Sequence, residues 1–125
     1  MQFETLRTID SQDAPSLAPD DRPIDLVHLA RATLGDRSLE REVLQLFDRQ
    51  STLLIARLRN AGPDSVAMIA HTMKGSARGI GAWRVARAAE AVELADDTAI
   101  GGALARLAAA TDEARAVIAD LLKAN

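Results

Sequence analysis

From Pro23 onward the apolar residues recur every three or four positions almost without a break, and no stretch of useful length alternates apolar with polar. A period near 3.6 buries one stripe of a helix, whereas a period of two buries one face of a strand. The chain is therefore expected to be all-α. A first helix is expected from about Ile24 to Leu34, with Leu26, Leu29, Ala30 and Leu34 on one face and Gly35 just past its end. Asp36 or Ser38 can cap a second, from about Ser38 to Asn60, whose stripe is Leu39, Val43, Leu46, Phe47, Leu53, Leu54 and Leu58. Gly62 and Pro63 stop it. A third starts at Pro63 or Asp64 and reaches roughly Arg78, before Gly79-Ile80-Gly81, and a fourth covers about Ala82 to Ala95. Asp96 and Asp97 read as a turn and cap ahead of the last helix, from Ala99 or Gly102 to Lys123, with its seam at Leu104, Leu107, Thr111, Ala114, Ile118 and Leu121.

Short connections between amphipathic helices favour antiparallel neighbours. The expected architecture is an antiparallel up-down four-helix bundle with an additional N-terminal helix acting as a lid. Residues 23–125 make this one domain. Residues 1–22, with Pro15, Pro19, several aspartates and little apolar periodicity, read as a flexible N-terminal arm.

Several function classes are excluded by what the chain lacks. It has no cysteine, which removes disulfides, thiol nucleophiles and Cys-containing zinc patterns. Its two histidines, His28 and His71, are far apart in sequence and lack flanking carboxylate patterns, so no metal site is expected. A net charge of −3 and three scattered aromatics, Phe3, Phe47 and Trp83, argue against nucleic acid. No apolar run approaches the ~18 residues of a membrane span. The segment Met1 to Asp10 lacks the basic start and apolar block of a secretory signal, which makes the cytoplasm the expected compartment.

The third expected helix divides into two faces at about 100° per residue. Val66, Ile69, Ala70, Met73 and Ala77 form its buried side. Asp64, Ala67, Met68, His71, Lys74, Gly75 and Arg78 lie opposite, within roughly 60° of the histidine. His71 therefore points outward in mid-helix. An imidazole with an ordinary pKa of ~6.5 is a nucleophile at neutral pH and can hold a phosphoryl group as a labile phosphoramidate. Lys74 at i+3 can offer charge to phosphoryl oxygens, and Arg78, two turns away, can make a secondary contact. Gly75 at i+4 leaves the imidazole unobstructed, although glycine inside a helix costs ~1 kcal/mol relative to alanine. The exposed Met68 suits either helix filler or an adaptable docking surface. Arg78, Arg84 and Arg87 make a locally basic edge, either solvated or attractive to an acidic partner. His28, beside the apolar stripe of the first helix, reads as a surface or boundary residue, and Trp83 as packing over the bundle end.

The run His71-Thr72-Met73-Lys74-Gly75-Ser76-Ala77-Arg78-Gly79-Ile80-Gly81-Ala82, preceded by Ala70, resembles the signature of the histidine phosphotransfer (HPt) family. The likeness extends from about residue 24 to 122, through the long helix bearing Phe47 and the Ala-Val-Glu-Leu end of the fourth helix. It implies His71 as phosphoacceptor, Lys74 as the positive charge near the phosphoryl group and Gly75 as the opening for a partner. Ala67, Met68 and Arg78 would flank the docking surface. Gly81 would permit the turn into the fourth helix, and Glu93 would hydrogen-bond the histidine ring. The implied partners are response-regulator receiver domains and a histidine kinase, hybrid or otherwise. The resemblance implies no cofactor bound by this chain, because Mg²⁺ and the acidic pocket belong to the receiver. No motif for ATP binding is present, so the expected role is a monomeric phosphocarrier without ATP-dependent kinase activity. Two alternatives remain open at this level. One is a bundle that binds receivers without exchanging phosphate; the other is a dimeric phosphotransferase with a kinase-like stem, which the helices completing a bundle after His71 argue against.

Overall fold

Helices start where something satisfies their first free N–H groups, and the computed structural model, which describes residues 22–124, follows that rule closely. Among the described residues the helices are α1 (Leu26–Ala32), α2 (Arg37–Leu58), α3 (Pro63–Ile80), α4 (Trp83–Leu94) and α5 (Ile100–Lys123). The Asp25 carboxylate caps α1 by accepting from His28 N at 3.1 Å, and Asp36 caps α2 by accepting from Leu39 N at 3.0 Å. Gly62 precedes α3, with Pro63 in the first turn, where its missing N–H costs nothing. Asp96 accepts from the N–H groups of Thr98 and Ala99 at 3.1 and 2.9 Å, organising the turn into α5.

The four long helices close into a ring: α2 packs on α3 and α5, and α4 packs on the same two. α1 lies against α3. This is the expected antiparallel four-helix bundle with an additional N-terminal helix. Met73, Val85, Leu107 and Ile118 fill the centre, each burial contributing about 1.5–3 kcal/mol. Ala70 and Ala77 of α3 and Ala86 and Ala89 of α4 are all buried, as is Ala82 in the turn between them. Side chains this small let the two helices approach closely, which fixes what faces what across them.

The structure corrects several sequence expectations. Helix α1 is shorter than expected, because Asp25 caps it one residue after Ile24, leaving Ile24 and Leu29 as the N′ and N4 pair of a hydrophobic staple, both buried. Leu26 and Leu34 are exposed instead, and Leu34 joins Gly35 at positive φ in the exit turn. The stripe of α2 is rotated from the expected one. Leu44, Phe47, Ser51 and Leu58 are buried, while Leu39, Leu46 and Leu53 are 40%, 45% and 54% exposed. The buried Ser51 hydroxyl donates to Asp48 O within its own helix, so a polar residue sits at the seam with its hydrogen bond satisfied. Helix α3 runs through Gly79 and Ile80, and the break falls at Gly81 alone. The expected N-terminal arm lies outside the described residues, Arg22 excepted.

Gly81 does more than permit a turn. It ends α3 in the left-handed conformation at φ 81°. A Cβ placed there would lie 2.9 Å from Asp25 O and 3.2 Å from His28 Cβ. Asp25 N donates to Gly81 O at 2.9 Å, and the Asp25 carboxylate accepts from Trp83 Nε1 at 2.9 Å. The Trp83 hydrogen bond, ahead of the α1 backbone, holds the Asp25 carboxyl below the ordinary aspartate range. His28 meets the Trp83 ring edge-on with centroids 4.9 Å apart. The start of α1 is thus clamped onto the α3–α4 turn. Gly81→Ala combines left-handed strain with this collision and is expected to destabilise by about 2 kcal/mol or more in urea unfolding. A loss under 0.5 kcal/mol would show that the turn relaxes freely.

Candidate functional site

The α3–α4 hairpin sets the geometry of the His71 face. His71 and Glu93 stand eleven residues to either side of Ala82, and Lys74 and Glu90 eight residues to either side. In an antiparallel pair rising ~1.5 Å per residue, each of these pairs sits at one height above the turn. The contacts obey this register. Glu93 Oε2 lies 2.9 Å from His71 Nδ1, Glu93 Oε1 lies 2.7 Å from Lys74 Nζ, and Glu90 Oε2 lies 4.0 Å from the same ammonium.

The three side chains differ in exposure. His71 leaves 71% of its side chain in solvent, while Lys74 and Glu93 retain only 14% and 20%. Lys74 therefore lies back along the α3–α4 groove against Glu93 and does not project outward beside the histidine, as the rotation alone suggested. The Lys74 ammonium, ahead of the His71 ring, draws the Glu93 carboxyl below the ordinary glutamate range. An ionised carboxylate only accepts hydrogen bonds. Nδ1 must then carry a proton, so that in the neutral ring Nε2 is the unprotonated nitrogen.

Ala67, Met68, Gly75 and Arg78 share the exposed face of α3 with His71, as expected, and Met68 is 71% exposed. A Cβ added at Gly75 would meet nothing within 4 Å. Packing within the chain therefore gives no reason for glycine there. Gly81 is not in the site; it lies buried at the far end of α3 and acts through the turn. Arg84 leaves the expected basic edge to pair with Glu113 at 2.8 Å. Sequence reasoning passed over Glu90 and Asp25. Equal spacing about the hairpin turn was the available signal for the first, and an acidic residue just before an apolar helix for the second.

A four-helix bundle that displays one histidine in mid-helix, backed by a carboxylate and a lysine, defines a class of helical bundles that hold an imidazole open to solvent. The Hpt domain model matches residues 37–122, and the chain belongs to that family. Membership places it in phosphotransfer of two-component signalling, where Hpt domains interact with receiver domains and histidine kinases. No curated protein and no solved structure matched in the other two comparisons. Helix α1 lies outside the matched residues. No described helix is long and apolar enough to cross a membrane.

The shared carboxylate has a measurable consequence. A depressed carboxyl pKa contributes stability that is present above the ordinary glutamate range and is lost as pH falls through the lowered value. The Glu93 carboxyl carbon is expected to titrate below the other glutamates in NMR, and Lys74→Met should move it upward. An unmoved midpoint in that variant would show that the lysine is not what depresses it.

Proposed function

We propose that this protein is a phosphorelay carrier in which His71 accepts a phosphoryl group from the aspartate of one receiver domain and passes it to another. The observation that supports this reading is the 2.9 Å contact of Nδ1 with Glu93 on a side chain that is 71% exposed, which makes Nε2 of the neutral ring the nitrogen available for attack. Nε2 attacks the phosphorus of the receiver's aspartyl phosphate. The P–N bond forms as the P–O bond to the aspartate breaks, and the carboxylate leaves with that electron pair. The ring keeps its Nδ1 proton and becomes formally cationic, and the Glu93 carboxylate facing that proton offsets the charge. The reverse sequence discharges the group to the next aspartate.

Lys74 is held beside this chemistry and not within it. Its ammonium, one turn from His71, can exchange part of its bond to Glu93 for the phosphoryl oxygens. Gly75, with open space over its Cα, gives the receiver close access to the imidazole, and Ala67, Met68 and Arg78 border that approach. Mg²⁺ would be held by the receiver, where it neutralises charge on the phosphoryl oxygens.

Incubation with a receiver phosphorylated on aspartate should yield acid-labile, alkali-stable label on the chain, absent from His71→Gln. Undiminished label in that variant would overturn the assignment. Glu93→Ala removes a charge-assisted hydrogen bond of roughly 1.5–3 kcal/mol and should slow transfer about 10- to 100-fold. Lys74→Ala should slow it by less than about tenfold, because one lysine beside a metal-bearing partner contributes modestly. Gly75→Gln separates docking from folding: transfer should fall severely while thermal stability stays equal to or above that of the parent. Unchanged transfer in Gly75→Gln would remove the glycine from the site.

A further inference from the structure

The apolar face of α2 is wider than the bundle covers. Leu39 and Leu46, which periodicity places with the core, remain 40% and 45% exposed along an open groove of about 310 Å³ between α2 and α3. Leu29 of α1 closes one end, Val43 forms the floor with Phe47, and Gly79 and Ile80 of α3 form the far wall. Gly79 lies about 80° around α3 from His71, so whatever fills this groove lies along the flank of the histidine face. Exposed leucines in one contiguous trough mark a docking surface more than a chance exposure does.

We infer that the occupant is the chain's own N-terminal segment, residues 1–21, and that it competes there with the receiver; the competition rests on the phosphotransfer reading above. Three observations on different levels favour this occupant over a second molecule. The segment joins the described chain at Arg22, immediately before the helix that closes the groove. From Ile24 back to Ile9 the extended chain reaches ~50 Å, several times the ~16 Å that Leu39 to Gln50 span on α2. Its first ten residues hold Phe3, Leu6 and Ile9, large apolar side chains that match an apolar trough in chemistry. Charge acts in the same direction. Residues 1–21 hold five carboxylates against Arg7 alone, a net −4, so that the remaining residues, with 14 basic and 13 acidic side chains, carry +1 of the total −3. An acidic segment beside Arg78 and His71 presents the same sign of charge as the acidic receiver pocket it would displace.

The test uses the full chain and exploits its lack of cysteine. A nitroxide on Gln2→Cys should broaden the amide resonances of Ala32, Leu46 and Gly79 while sparing Ala108 and Ala109 on α5, and the broadening should vanish in Phe3→Asp/Leu6→Asp. The same double variant should take phosphoryl from subsaturating receiver about 3- to 10-fold faster, because the fraction of open groove rises. Broadening absent from the groove would overturn the proposal. So would broadening that appears in an isotope-labelled, spin-free chain mixed with spin-labelled chain, since the occupant would then be a second copy. Unchanged transfer in the double variant, with broadening intact in the parent, would overturn the competition. Failure of every receiver to transfer in both proteins, with broadening intact, would instead sink the phosphotransfer reading and leave the groove assigned.

Discussion

The Glu93 carboxylate joins the two helices on which the site depends, with one oxygen 2.9 Å from His71 Nδ1 and the other 2.7 Å from Lys74 Nζ. A histidine that is 71% exposed would otherwise sample several rotamers and both tautomers. One acceptor at Nδ1 favours a proton on that nitrogen and fixes the ring's orientation. The same carboxylate draws a lysine out of solvent, so the charge nearest the imidazole is stored against α4 instead of waving in water. Surface ion pairs usually contribute little, but this one is shared by two donors and is four-fifths shielded, which makes it a positioning device more than a source of stability.

That bridge exists only if α3 and α4 hold their register, and the register is set three turns away. Ala82 is the midpoint of both the His71–Glu93 and the Lys74–Glu90 pairs. A one-residue slip at the turn would rotate Glu93 by about 100° and remove it from the histidine. Gly81 prevents the slip by fixing a left-handed end to α3, and Asp25 locks that end by bonding both Gly81 O and Trp83 Nε1. Helix α1, although outside the family match, is therefore part of what positions the site. Its clamp acts on the turn, and the close alanine seam transmits the alignment to His71.

How much of this was legible in the sequence depends on how strongly neighbouring residues constrain one another. The exposed placement of His71 followed from helical rotation, since Ala70, Met73 and Ala77 can only be buried as a set. The open space at Gly75 was legible for a related reason: glycine in a helix interior has a cost that needs a compensating use. The centre of the α2 stripe was not. Its apolar residues cover more than half the helix circumference, so periodicity alone cannot choose between a face centred on Leu46 and one centred on Leu44 and Phe47. Tertiary packing made that choice, and Ser51 went inward because its hydroxyl could be satisfied within its own helix. Lys74 was misjudged in a different way. Rotation locates Cα and Cβ, but a four-carbon stem can lie along the helix surface towards a carboxylate on another element.

On the proposed reading, the sparseness of the site has a chemical purpose. A carrier must bind a phosphoryl group well enough to receive it and weakly enough to release it. A bidentate arginine clamp or a resident metal would hold the phosphoramidate tightly and convert the carrier into a sink. Beside the ring this face offers one lysine already engaged with Glu93 and one glutamate, with alanine, methionine and glycine around them and Arg78 two turns away. Before transfer, the lysine and the Glu93 carboxylate face each other beside the ring. After it, the dianionic phosphoryl faces the lysine while the cationic ring faces the carboxylate, so each new charge finds an opposite one without any residue being imported. The strong stabilisation of the transition state is left to the partner that brings the metal, which makes the transfer reversible and dependent on docking.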